Sequence, residues 1–194
     1  IAMRHALRRH DEILHKVITA HAGYVFKTVG DAFCAAFDNA GDGVCAALDG
    51  QRQLMAEDWG EVGSIRVRMA LHTGAVEVRD RDYFGPPLNR VARLLSTDHG
   101  CQIVLSAVTA ELVLDVLQEQ TSLRDLGSHR LRDLSRPERI YQLEHPDLPS
   151  DHPPLTTLDA YPHNLPAQQT AFVGRDTELV EIQGLLSSTR LLTL

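Results

Sequence analysis

The chain has 194 residues, 43% of them hydrophobic, 23% charged and 5% aromatic, which is room for one well-buried domain and part of another. Its formal net charge of -7 argues against a protein that grips nucleic acid through its phosphates. No stretch reaches the roughly 18 consecutive apolar residues that crossing a membrane requires.

The spacing of Met3, Leu7, Ile13, Leu14, Val17 and Ile18 predicts a helix over residues 3–21 that ends at Gly23. Its Arg4, Arg8 and Arg9 interrupt any compact apolar core, so it is not a signal peptide. Two β-rich runs, Tyr24 to Val29 and Ala32 to Phe37, flank Gly30-Asp31 and predict a hairpin. Asp38 or Asn39 caps a second helix carrying Val44, Leu48, Leu54 and Met55. Ile65, Val67, Met69 and Leu71 alternate with Arg66, Arg68 and Ala70, the pattern of a half-buried strand. A Thr73-Gly74 turn leads to Ala75–Val78, a charged Gly/Pro-containing loop spans 79–87, and Leu88 to Leu95 is helical. Gln102 to Leu105 is a short strand, Ser106 caps the helix after it, and Arg139 to Leu143 is the last strand. Helices interleaved with strands imply helices packed on a sheet.

Between His145 and Gln169, six prolines (Pro146, Pro149, Pro153, Pro154, Pro162 and Pro166) exclude a continuous helix or a central strand, so an extended linker is expected. Pattern returns at Phe172 to Leu179, followed by a helix to about Leu186 and a strand from Arg190 to Leu194. The expected domains are therefore 1–145, a linker over 146–169, and the opening of a further domain over 170–194. Cys34, Cys45 and Cys101 make no CxxC pair and fit a reducing, cytoplasmic setting. The ten histidines stand in no HExxH frame, so no zinc site is expected.

Two polar groupings stand against apolar surroundings. Lys27 and Asp31 flank Gly30; alone, they read as a solvated strand lysine and an aspartate serving its turn. Asn89 and Arg93 share one helix face, which alone reads as a solvent-facing pair. Each grouping, however, sits beside a Gly-marked turn.

Lys27-Thr-Val-Gly-Asp31, continuing as Ala32-Phe-Cys-Ala35, resembles the hairpin segment of class III adenylyl and guanylyl cyclases. Tyr83-Phe-Gly85 followed by Leu88-Asn89-Arg-Val-Ala-Arg93 resembles that family's second signature, an aromatic-Gly step and then a helix with Asn and Arg. Arg66-Val-Arg-Met-Ala-Leu-His-Thr-Gly74 resembles the strand between them, with Ala70 where a Gly is common. Three ordered blocks over residues 1–145 carry the resemblance, and the short loop from Val78 to Phe84 suggests the bacterial, mycobacterial-like subgroup.

The resemblance implies an α+β, ferredoxin-like βαββαβ cyclase fold whose first strand is apparently missing from this chain. It implies an enzyme that converts ATP to 3',5'-cyclic AMP and pyrophosphate at a homodimer interface, using two Mg2+ or Mn2+ ions. By position, Asp31 corresponds to one of two metal-holding aspartates, and the other would lie upstream of Ile1. Lys27 and Asp82 correspond to the pair that reads adenine, with Asp80 as the competing acidic residue in the Arg-Asp-Arg-Asp run. Asn89 corresponds to the residue that orients the ribose, and Arg93 to the residue that stabilises the phosphate in the transition state. No Phe-x-Asp segment precedes Tyr24, so the chain is expected to be truncated and by itself inactive, or to belong to a silent nucleotide-binding regulatory or dimerisation domain. Residues 172–194 resemble the start of an NB-ARC or AAA-like signal-transduction ATPase, a setting in which a DNA-binding domain often follows.

Overall fold

The protein is described from a computed structural model, over residues 2–80 and 82–158. The chain divides into a unit of residues 1–161 and a second of 162–194. The expected ATPase opening lies outside the described residues.

Helix α1 (Ala2–Ala20) buries Ala6, His10, Ile13, Leu14, Val17 and Ile18, one stripe at helical spacing. It ends as Gly23 N–H donates to Ile18 O, with Ala22 in the left-handed region at φ 56. Gly23 leaves room here: a Cβ there would run into the Phe37 ring and the Ile18 side chain. Strands β1 (Tyr24–Val29) and β2 (Ala32–Ala36) form the predicted antiparallel hairpin, turning on Gly30 at φ 64. A bulge between Val25 and Lys27 shifts their register. Asn39, in extended backbone, caps helix α2 (Ala40–Ala56) by accepting from Asp42 N–H.

A four-stranded mixed sheet forms the centre, in the order β3 (Met69–Leu71), β6 (Ile103–Ser106), β8 (Glu138–Glu144), β7 (Ser122–His129). The β3–β6 pair is parallel and the other two pairs are antiparallel. Alternation along β6 and β8 splits the core in two. On one face Ile103, Leu105 and Leu143 pack with Val44 and Leu48 of α2 and Val113 of α4 (Ala107–Val113). On the other, Val104 and Ile140 pack with Leu94 of α3 (Pro86–Thr97), Leu131 and Leu155. A third cluster joins α1 to α2 and to Val25, Phe33 and Phe37 of the first hairpin region.

Three elements differ from the sequence expectations. The strand expected from Ile65 is confined to Met69–Leu71, because only there does β6 offer a partner ladder. A second hairpin pairs β4 (Glu77–Arg79), which runs out of the Ala75–Val78 segment, with β5 (Asp82–Phe84) inside the expected charged loop, although little apolar alternation marks it. Strand β7 has no sequence expectation: Asp125, Gly127 and a bulge between them mask its pattern, and pairing with β8 supplies the order.

The first part of the expected linker packs on the sheet. Leu148 is buried in the α2-facing core and Leu155 in the α3-facing core, so residues 148–155 pass from one face to the other. Leu158 N–H donates to Arg130 O and Thr156 N–H to Thr97 O.

Candidate active site

The two hairpins meet side by side. Phe26, in the β1 bulge, stacks at a tilt on Tyr83 of β5 with ring centroids 4.8 Å apart. That contact sets Lys27 beside Asp82, with Nζ donating to Oδ2 at 2.6 Å across 55 residues of sequence. The other carboxylate oxygen accepts from Tyr83 N–H at 2.8 Å. The Lys27 hydrogen bond, then the Tyr83 N–H, hold the Asp82 carboxyl below its usual range, so it is ionised and can only accept. Asp80 instead sits exposed just past β4 at φ 51.

Asp31 is exposed at the turn of the first hairpin. It supplies a single carboxylate, and among the described residues no three His, Cys, Asp or Glu side chains gather as a metal-binding group. These residues do not by themselves make a two-ion centre.

Helix α3 starts directly after Gly85, with Pro86 in its first turn, where a missing N–H costs nothing. Asn89 is exposed on this helix, and Arg93 lies one turn further on, half-buried. Both α3 arginines are paired: Arg93 Nη2 with Asp133 Oδ2 at 2.5 Å, and Arg90 Nη1 with Glu138 Oε2 at 3.3 Å. Glu138 is 7% exposed, and burial raises its carboxyl pKa while Arg90 opposes the rise. Thus Lys27 joins Asp82 directly, whereas the structure ties Arg93 to a different carboxylate and gives Asp31 no partner among the quoted site residues.

Sequence reasoning passed over His72, Asp133 and Glu138. His72 follows β3, its Nδ1 2.8 Å from the fully buried Ser106 hydroxyl, which also lies 3.1 Å from Thr109 Oγ1. Burial, aided by Arg90, lowers its pKa to about 4, so it is neutral near pH 7. The His-Thr-Gly block signals this site in sequence; nothing local marks Asp133 or Glu138, whose roles depend on the turn of the β7–β8 connection toward α3.

The profile of the adenylate and guanylate cyclase catalytic domain matches residues 1–145, and the chain belongs to that family. Its architecture is the α+β fold of nucleotide cyclase catalytic domains. An uncharacterised protein of Mycobacterium tuberculosis is 45% identical over 180 residues, covering 91% of this chain and 61% of that protein. The chain therefore spans 61% of the length of that relative. The adenylate cyclase of Schizosaccharomyces pombe is 31% identical over 146 residues, 62% of this chain and 9% of that protein. Among solved structures, an adenylate/guanylate cyclase/hydrolase from Silicibacter pomeroyi superposes with a TM-score of 0.64 at 28% identity, covering 74% of this chain and 84% of that one. No helix among the described residues is long and apolar enough to cross a membrane.

Proposed function

We propose that this domain converts ATP to 3',5'-cyclic AMP and pyrophosphate in a homodimer. The observation that carries this reading is the Lys27–Asp82 contact at 2.6 Å. It places a donor with spare hydrogens beside an ionised acceptor, on neighbouring strand edges. Adenine presents N1 as an acceptor and its amino group as a donor, so Lys27 can give to one and Asp82 can take from the other. Guanine presents N1–H and O6, and O6 against the carboxylate is an acceptor–acceptor contact costing about 1–3 kcal/mol.

In this reading Asn89 holds the ribose and Arg93 binds the phosphate as charge builds on it. The 3'-oxygen attacks the α-phosphorus and the bond to pyrophosphate breaks. Divalent ions, when bound, would neutralise phosphate and acidify the 3'-hydroxyl. Asp31 would contribute one ligand.

The dimer reading draws on exposed apolar side chains. Val29 is 62% exposed beside Gly30-Asp31, and Val78, at 59%, and Phe84, at 38%, lie on the hairpin that carries Asp82. Apolar groups left in water near charged site residues are a surface suited to a second copy. The chain has one such domain in residues 1–145, so a composite site would take Asp31 from one copy and Lys27, Asp82, Asn89 and Arg93 from the other.

The test is product analysis of the purified full-length protein with Mn2+ and either ATP or GTP. Cyclic AMP as the main product supports the reading. Cyclic GTP-derived product in equal yield contradicts its specificity, and nucleotide binding without any cyclic product assigns the domain to the silent regulatory class instead.

A further inference from the structure

Arg93 is the residue whose placement the proposed reaction most depends on, and it is held from outside the two hairpins. Its partner Asp133 lies on the β7–β8 loop, residues 130–137, and that loop is fixed at several points. Leu131 is 3% exposed and packs with Leu94 of α3 and with Leu155. Leu134 N–H donates to Leu131 O at 3.2 Å, which turns the loop back on itself. Glu138, at the loop's far end, meets Arg90.

The segment after β8 then ties the loop and the helix together. Arg124 Nη2 donates to Ser150 O at 2.9 Å, and His99 Nε2 lies 3.1 Å from Pro154 O. Thr156 N–H reaches Thr97 O, in the last turn of α3, at 3.0 Å. Thr157 Oγ1 lies 3.3 Å from His129 Nδ1, and Leu158 N–H donates to Arg130 O at 3.2 Å. Residues 148–158 thus form a strap fastened both to the C-terminal end of α3 and to the start of the loop that carries Asp133.

We propose that Asp133 is a positioning residue for Arg93, and that the strap of residues 148–158 holds Asp133 in place. The proposal rests on the reading of Arg93 as the phosphate-binding arginine. An exposed ion pair alone is a weak tether, because two long side chains lose freedom in water to make it. A short aspartate on a loop clamped at both ends loses far less, and so can fix the guanidinium's direction. Asp133 also sits at φ 61, a backbone state that Asp and Asn tolerate better than most residues. Asp133→Asn therefore keeps the loop's backbone preference and removes only the charge.

The experiment compares wild type with Asp133→Asn, Asp133→Glu and Leu155→Ala in the full-length protein. Its two readouts are steady-state kinetics and amide hydrogen exchange over residues 130–134. Asp133→Asn is expected to lower kcat about tenfold while KM moves less than about threefold, with partial recovery in Asp133→Glu. Leu155→Ala is expected to speed exchange over residues 130–134 at least about threefold, and Asp133→Asn to speed it to a lesser extent. An unchanged kcat in Asp133→Asn overturns the positioning role, and unchanged loop exchange in Leu155→Ala overturns the strap. Exchange needs no turnover and Asp133→Asn leaves the core intact. A wild type that makes no cyclic product therefore refutes the cyclase reading, while the exchange measurements still decide the coupling.

Discussion

Lys27 and Asp82 meet at 2.6 Å because the bulge in β1 turns Phe26 onto Tyr83, the residue next to Asp82. Two short hairpins are thereby locked at the pair proposed to read the base. Asp80 is on the same hairpin but follows β4 in a left-handed conformation, away from this contact. Asp82→Ala is expected to reduce the ratio of kcat/KM for ATP over GTP by about ten- to a hundredfold, and Asp80→Ala to leave it within about threefold. Measuring both nucleotides with Mn2+ in each variant checks this; a loss confined to Asp80→Ala would move the role to Asp80.

The choice between those two aspartates shows where sequence reading stops. The blocks around Lys27-Asp31 and Asn89-Arg93 are legible because turn glycines and flanking apolar runs punctuate them, and the helices α1, α2 and α3 follow their apolar spacing. Hairpin β4–β5 is hidden because its residues are mostly charged, and its order comes from cross-strand bonds between Val78 and Tyr83 and their neighbours. Strand β7 is hidden for a similar reason, with a Gly at φ 92 inside it. Asp133 and Glu138 are the hardest to foresee, since each becomes meaningful only when the β7–β8 connection comes back onto α3. Among the described residues the segment after His145 forms no strand or α-helix, yet Leu148 and Leu155 bury against the sheet.

Arg90 and Glu138 form the more buried of the two α3 pairs. Arg90→Ala would leave the Glu138 carboxylate buried without its cation, whereas Glu138→Gln removes the charge that needs one. Arg90→Ala is expected to cost about 1–3 kcal/mol near neutral pH, and Glu138→Gln less. Without Arg90 the Glu138 pKa rises further, so the Arg90→Ala loss should shrink as pH falls toward about 5. Urea unfolding at both pH values checks the order of the variants and the trend.

Asp98 is 5% exposed, and neither carboxylate oxygen has a hydrogen-bond partner. The facing N–H groups of His99 and Met69 donate to Gln102, through its side chain and its backbone oxygen respectively. Burial pushes the Asp98 pKa from 3.8 to about 8, opposed in part by those N–H groups and by Arg68. Between these values the folded protein keeps a proton that the unfolded chain has released, so stability falls as pH rises through that window. His72, lowered from 6.5 to about 4, acts the other way but only below its unfolded value. Above that value the His72 contribution is spent and the Asp98 decline remains. Asp98→Asn is expected to flatten the fall in Tm and to be more stable than wild type by at least about 1 kcal/mol near pH 8. An unchanged slope of Tm against pH would contradict the buried-acid account.

In the proposed dimer the site is completed by two copies of the domain, with Asp31 from one and Arg93 from the other. Full-length Asp31→Ala and full-length Arg93→Ala are prepared separately, then mixed and allowed to exchange subunits. Each variant alone is expected to lose at least about 99% of cyclic AMP formation, since a missing charge-stabilising group typically costs two or more orders of magnitude. A mixed dimer retains one site with both residues intact, so equal mixing should restore about a quarter of wild-type turnover. With wild type active in the same assay, a mixture that stays as inactive as its parents would contradict the shared site.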